Sequence, residues 1–388
     1  STLRVRDASA KQFFHAGNGG SVIMGSGNGG AGGAISDSHL DVELTANDSY
    51  FMAGHGGNAE STGNGGVGGS IINNSSVTYS PTVAGGLVRA GSGGQSGSVI
   101  GAAGNGGSVN KLSLFGDATN AIVINAGHGG DRLNPSGAGG NGGSLTNLSV
   151  TAPTSDLYLN SLNVVPTEPL TGGSGPGALE PADAGLAPMA GGTGGSITNV
   201  TVFWGQTLSV VAGRGGDANS GTGGLGGSIN GINAIGSGNA LFDGIHAGPG
   251  GNGGPNGGKG GSINNVTTNK GISEFFVGSG GTGTPTAGQN GSATGISAQF
   301  IDYLYADDRT GVGFDYVDDI HAVFSLSNVT ASLYIGLDAN NNGLFDFSDL
   351  GGTVGVFDAA IDEALDGFAI VRPAGLGTIS PSPLKIRP

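Results

Sequence analysis

The chain has 388 residues, 85 of them glycine and none cysteine, with a formal net charge of −15. Apolar residues make up 36%, charged residues 11% and aromatics 6%, which is poor material for one large globular core. The acidic balance argues against nucleic acid and anionic membrane surfaces as partners, the lack of cysteine excludes disulfides and thiolate sites, and no apolar stretch approaches the ~18 residues of a membrane span.

From the N-terminus, Ser1-Thr2-Leu3-Arg4-Val5 starts inside a strand-like phrase, with no initiator Met and no signal peptide. We read the chain as a processed or partial form of a secreted precursor, hence extracellular or at the cell surface. A recurring phrase then sets the architecture. Its starts are Ala34, Ser70, Ser108, Ser144, Ser196, Ser228, Ser262 and Ser292, at intervals of 36, 38, 36, 52, 32, 34 and 30 residues. Periods in that range mean stacked structural units. In Ser144-Leu145-Thr146-Asn147-Leu148-Ser149-Val150 and its copies, apolar residues sit one, four and six places after the Ser. The last two alternate as a strand does, and the jump from one to four predicts a bend or bulge. A second phrase ends on an apolar residue two places before Ala-Gly: Phe14, Phe51, Val88, Ile124, Val210, Ile245 and Phe275. Stacked coil on coil, both phrases predict parallel sheets with apolar columns inside.

Between phrases run glycines with a period of three. Gly137-Ala138-Gly139-Gly140-Asn141-Gly142-Gly143 leaves one face of a three-fold helix for a variable residue and makes the other two glycine. Three residues per turn is the polyproline II period, and faces without Cβ let backbones approach. The runs are therefore expected to pack as polyglycine II-like rods; the alternative is mobile surface loops. The 52-residue interval lacks a clear second phrase, so 153–188 is expected to loop out as an insertion.

After residue 295 the glycine period stops, and the last 93 residues hold 13 of the 28 acids. The expected organisation is an all-β fold: a glycine-rich β-solenoid over 1–295 plus a small acidic C-terminal β module over 296–388. Within that module, 338–349 matches a calcium loop at positions 1, 3, 5, 6, 9 and 12. Asp338, Asn340, Asn342, Asp346, Asp349 and the carbonyl of Leu344 would surround a structural calcium ion, or else form an Asx-rich turn. Asp307, Asp308, Asp315, Asp318 and Asp319 read as a solvated acidic face.

Other motifs are weaker. Asn-x-Ser/Thr at Asn147, Asn199 and Asn265 falls at one offset of the first phrase, which fits either a row of glycans or an Asn ladder along the stack. His55 and His128 share a slot that elsewhere holds Asn18, Ser92, Arg214, Pro249 and Ser279, too free a variation for a metal column. Asp131 and Asp217 read as turn caps. Acids and bases are scattered along the repeats, and neither a nucleophile elbow nor a phosphate loop occurs.

The pattern resembles secreted glycine-rich β-solenoid proteins of bacterial surfaces and appendages. Its three-fold glycine runs look like the polyglycine II bundles of phage tip adhesins and of a springtail antifreeze protein. The resemblance covers roughly 1–295 and brings no site residues with it. The expected role is an extracellular structural protein, not an enzyme, that builds a surface fibre, sheath or appendage; the uncapped strand Ser1 to Asp7 and the extended tail over 378–388 would be hidden by head-to-tail self-association. Alternatives are an adhesin or glycan-binding module, a polysaccharide lyase or hydrolase on a solenoid, and an ice-binding protein. The interleaved strand phrases depart from the antifreeze type.

Overall fold

A computed structural model describes residues 2–5, 12–43, 48–60, 62–97, 101–118, 121–131, 138–160, 190–218, 220–298, 301–305, 323–324 and 334–335. The described elements are all strands, and every pair is parallel, in a 13-stranded and a 10-stranded sheet. Each coil gives its first phrase to the larger sheet and its second phrase to the smaller one. Ile197–Trp204 and Thr207–Val211 are one such pair; Ile229–Gly236 and Leu241–His246 are the next. This is a parallel β-solenoid. No helix among the described residues is long and apolar enough to cross a membrane.

The apolar offsets of the first phrase become columns. Leu145, Ile197, Ile229, Ile263 and Ala293 are register partners down the first sheet, and all are at most 2% exposed. Val150, Val202 and Ala234 form a parallel column. The second sheet contributes Phe51, Val88, Ile124, Leu159, Val210, Ile245 and Phe275, all buried. The two sheets face each other across these columns. Each large side chain withdrawn from water stabilises the stack by roughly 1.5–3 kcal/mol.

The jump from offset one to offset four has a definite cause. At offset three the backbone is left-handed: φ is 54° at Asn147, Asn199 and Asn265, 58° at Lys111 and 71° at Gly231. One residue in this region turns the chain so that the next apolar side chain faces inward again. Asparagine and glycine tolerate that region best, which explains their choice here.

The glycine runs form the other half of every coil. An outgoing run continues from the second sheet, and a returning run leads back to the first. Amide hydrogen bonds cross between them from coil to coil: Gly57 donates to Gly30, Gly66 to Gly57, Gly94 to Gly66 and Gly104 to Gly94, at 2.7–2.9 Å. A second series runs three residues away, with Gly54 to Gly33, Gly69 to Gly54, Gly91 to Gly69 and Gly107 to Gly91. Other glycines bond to the like run of the next coil, as Gly68 does to the Asn105 carbonyl and Gly106 to that of Asn141. The period of three thus serves two bonding directions, and the variable residue takes the third. Ordering so many glycines costs backbone entropy, which these bonds and contacts offset.

Polar side chains complete the outward direction. Along the stack, Ser144, Ser196, Ser228, Ser262 and Ser292 each donate their N–H to the Oγ of the serine one coil earlier, at 3.0–3.2 Å. Asn141 N–H bonds Asn105 Oδ1, and Thr193 N–H bonds Asn141 Oδ1. An amide that the runs leave unpaired is satisfied by the side chain in the equivalent slot.

Two features differ from the reading of the repeats. Asp156–Asn160 is a strand of the second sheet, in register with Ala121–Asn125 and Thr207–Val211, although it lies inside the segment expected to loop out. Its Leu157 and Leu159 fill the apolar column, so the coil keeps its second phrase, and only the Ala-Gly marker is missing there. Strand pairing also continues past residue 295. Ala293–Ser297 spans that position, and Ile301–Tyr305, Val323–Phe324 and Tyr334–Ile335 extend the two sheets.

Candidate functional site

The six residues of the calcium-type loop, Asp338, Asn340, Asn342, Leu344, Asp346 and Asp349, lie outside the described residues, as does the acidic group Asp307 to Asp319. Among the described residues no group of three or more His, Asp or Glu side chains is placed to hold a metal ion.

Asn147, Asn199 and Asn265 stand exposed on the outer face of the first sheet. Their Nδ2 atoms donate up the stack, Asn147 to Asn110 Oδ1 at 3.0 Å, Asn199 to Asn147 Oδ1 at 3.3 Å and Asn265 to Asn230 Oδ1 at 2.9 Å. An open groove of about 390 Å³ runs beside this ladder, bounded by Asn199, Thr201, Asn233, Asn265 and Thr267. Its polar groups are all neutral amides and hydroxyls.

His55 takes part in the backbone scheme. Its Nδ1 accepts the Ser92 N–H at 3.0 Å, which leaves the proton of a neutral ring on Nε2. Burial, then the charges of Arg89 and His15, hold this imidazole below its usual pKa, in keeping with an acceptor role. Asp217, read as a turn cap, bonds the next coil: its Oδ1 accepts the Asn252 N–H at 2.7 Å, and the carboxylate pairs with Arg214 at 2.8 Å.

The chemically richest surface is the outer face of the second sheet, between Asp156 and Glu274. Tyr158 is in register with Ser209, Ser209 with Gly244, and Gly244 with Glu274. The register shifts between Leu208 and Ser209, so Asp243 is an extra residue opposite them. Asp243 faces outward, and the bulge acts after it: Ile245 points into the core as Phe242 does, and His246 is left on the outer face. Its Nε2 lies 3.2 Å from Glu274 Oε2, an ion-pair distance, although the geometry falls short of an aligned hydrogen bond. The Phe276 ring meets the His246 ring edge-on at 4.5 Å. Asp156 anchors the other border by accepting the Thr207 N–H at 3.0 Å.

No family model, curated protein or solved structure matches this chain. Function therefore has to be argued from these surfaces.

Asp243 and Glu274, two of the three carboxyl groups on this face, are pushed in opposite directions. Partial burial, and then the neighbouring Glu274 charge, raise the pKa of Asp243. His246, within hydrogen-bond distance, holds Glu274 down against its own desolvation. Burial, then Asp156 and Asp243, raise the Tyr158 phenol. A raised carboxyl weakens the fold above its unfolded pKa, and the cost fades as pH falls and the group protonates. A lowered one contributes stability above its unfolded pKa and loses it in acid. Asp243→Asn is therefore expected to raise the urea midpoint at pH 7, with the gain vanishing near pH 3. Glu274→Gln is expected to lower it over the same range, and each effect should stay under about 1 kcal/mol because these side chains reach solvent.

This cluster was not found from the sequence. Its members come from four coils of unequal length, and the bulge at Asp243 shifts the alternation by one residue.

Proposed function

We propose that the protein is an extracellular structural protein, a subunit of a surface fibre, sheath or appendage that associates head to tail. The observation that carries this reading is the glycine half of the solenoid, read as a polyglycine II-like layer. Its backbone bonds join coil to coil from Gly17 to Gly291, so stiffness comes from main chain and not from one local core. Ten strands at the usual ~4.8 Å spacing make a rod about 43 Å long in the stacking direction. Parallel coils leave strand edges at the two ends of a stack, and edges of that kind pair with further copies to give an open assembly. A calcium ion held by the 338–349 loop would support the acidic C-terminal module. Light scattering is expected to show mass rising with concentration beyond that of one chain, and negative-stain microscopy to show filaments. A monodisperse monomer at every concentration would overturn the reading.

The Asp243, His246 and Glu274 group favours a second reading, a polysaccharide lyase or hydrolase built on the solenoid. Glycoside hydrolysis needs one carboxyl kept protonated and another ionised, and environments that separate two pKa values assign those roles. Asp243 would be the acid and Glu274 the base. Release of reducing ends from a polysaccharide panel by the native chain, lost in Glu274→Gln, would establish it; inactivity across the panel would remove it.

A further inference from the structure

The asparagine ladder on the outer face of the first sheet has a missing rung. Its left-handed position passes from Asn147 through Asn199 and Gly231 to Asn265, coil by coil. Asn199 donates to Asn147 Oδ1, whereas Gly231 has no side-chain amide to donate to Asn199 Oδ1, and that oxygen accepts no hydrogen bond among the described residues. The groove of about 390 Å³ opens at this gap, with Asn199 and Asn265 on its two sides. Thr201, Asn233 and Thr267 line it as register partners on three successive strands. All three are exposed, and their side chains make no hydrogen bond among the described residues. Two residues further along, on the same face, runs an apolar stripe. Phe115, Thr151, Phe203 and Ile235 are register partners, with Phe115 63%, Phe203 36% and Ile235 43% exposed.

Uncommitted amides and hydroxyls beside an exposed apolar row suit a ligand that is polar and apolar at once. No ionisable side chain lines the groove, so a charged ligand would find no counter-ion there, and the chain's charge of −15 repels polyanions. A peptide recognised through its main chain needs a sheet edge, and this is a sheet face. A sugar ring meets both demands: its hydroxyls exchange hydrogen bonds with amides and threonines, and its C–H face packs on an aromatic ring. The spacing selects among sugars. Strands recur every ~4.8 Å along the stack, close to the advance per ring of an extended β-1,4-linked chain, so successive rings meet successive strands. We propose that the Gly231 groove and the Phe203 row bind a neutral β-1,4-linked polysaccharide lying along the stack. The site is on the first sheet, away from the Asp243 group on the second, and depends neither on that group nor on fibre assembly.

Calorimetric titration of the full chain with cellohexaose and with maltohexaose, its α-linked isomer, tests the proposal. Cellohexaose is expected to bind at least tenfold tighter. Gly231→Asn is the decisive variant. Asparagine already holds this left-handed conformation at Asn199 and Asn265, and the nearest atom to an added Cβ is the movable Asn199 Oδ1, at 2.9 Å. The variant should complete the ladder, keep or raise the unfolding midpoint, and weaken cellohexaose binding at least tenfold. Thr201→Val removes one exposed hydroxyl without touching the ladder and should weaken binding several-fold; it carries the test if Gly231→Asn disturbs the fold. Failure of the native chain to bind cellohexaose overturns the proposal, as does equal affinity for maltohexaose. Undiminished binding by either variant in its folded state overturns it too.

Discussion

Gly104→Ala is expected to destabilise the solenoid by at least about 3 kcal/mol, the upper end of what overpacking costs. Gly104 lies in a returning run, donating to the Gly94 carbonyl at 2.9 Å and accepting from Gly130 N–H at 2.7 Å. A Cβ there would overlap the carbonyl oxygen of Gly66, with the Gly66 carbonyl carbon close behind. These are backbone atoms held in their own hydrogen bonds, so no rotamer change relieves the clash. The residue after it is the control. Asn105 occupies the outward slot, where other coils hold Val67 at 48% and Leu225 at 51% exposure. Asn105→Ala is expected to cost ~1 kcal/mol, the loss of one acceptor for the Asn141 N–H. Urea denaturation of both variants checks the contrast. Equal midpoints would mean that the two glycine faces are not in contact.

The second large effect is expected at Trp204, the single tryptophan of the chain. It is fully buried between the sheets, meets the Phe242 ring edge-on at 5.7 Å, and donates Nε1–H to the Leu241 carbonyl at 3.2 Å. Trp204→Ala is expected to cost about 3–5 kcal/mol, from lost burial and from the cavity left behind. Trp204→Phe retains a ring against Phe242 but strands the Leu241 carbonyl, and is expected to cost roughly 1–3 kcal/mol. Denaturation followed by circular dichroism measures both, with the native protein's tryptophan fluorescence as an independent probe of its own transition. In an array stabilised by neighbour contacts, the loss falls mainly on the coils that touch the lesion.

Much of the fold was legible because the repeat states it many times over. The apolar columns through Ile197 and Val210 follow from offsets within each phrase. The turn at Asn147 and Asn199 was implied by one gap in the alternation. The strand at Asp156 was hidden because the marker used to recognise a second phrase, Ala-Gly, does not follow it. The outer faces were far less legible. Coil lengths vary too much to align outward residues by counting. His246 is harder still, since the bulge sets its direction: alternation extended from Leu241 places Asp243 correctly but puts Ile245 and His246 on the wrong faces.

The glycine half has one more consequence. Stretches of this composition are ordinarily where a protein is cut, because they are loose and open to a protease cleft. Here the amides are already engaged, and the segment cannot be drawn out into an enzyme's groove without parting from both neighbouring coils. Digestion should begin instead outside the bonded runs and leave the glycine bodies as limit fragments. A chain exposed outside the cell would thereby keep its most side-chain-poor segments longest.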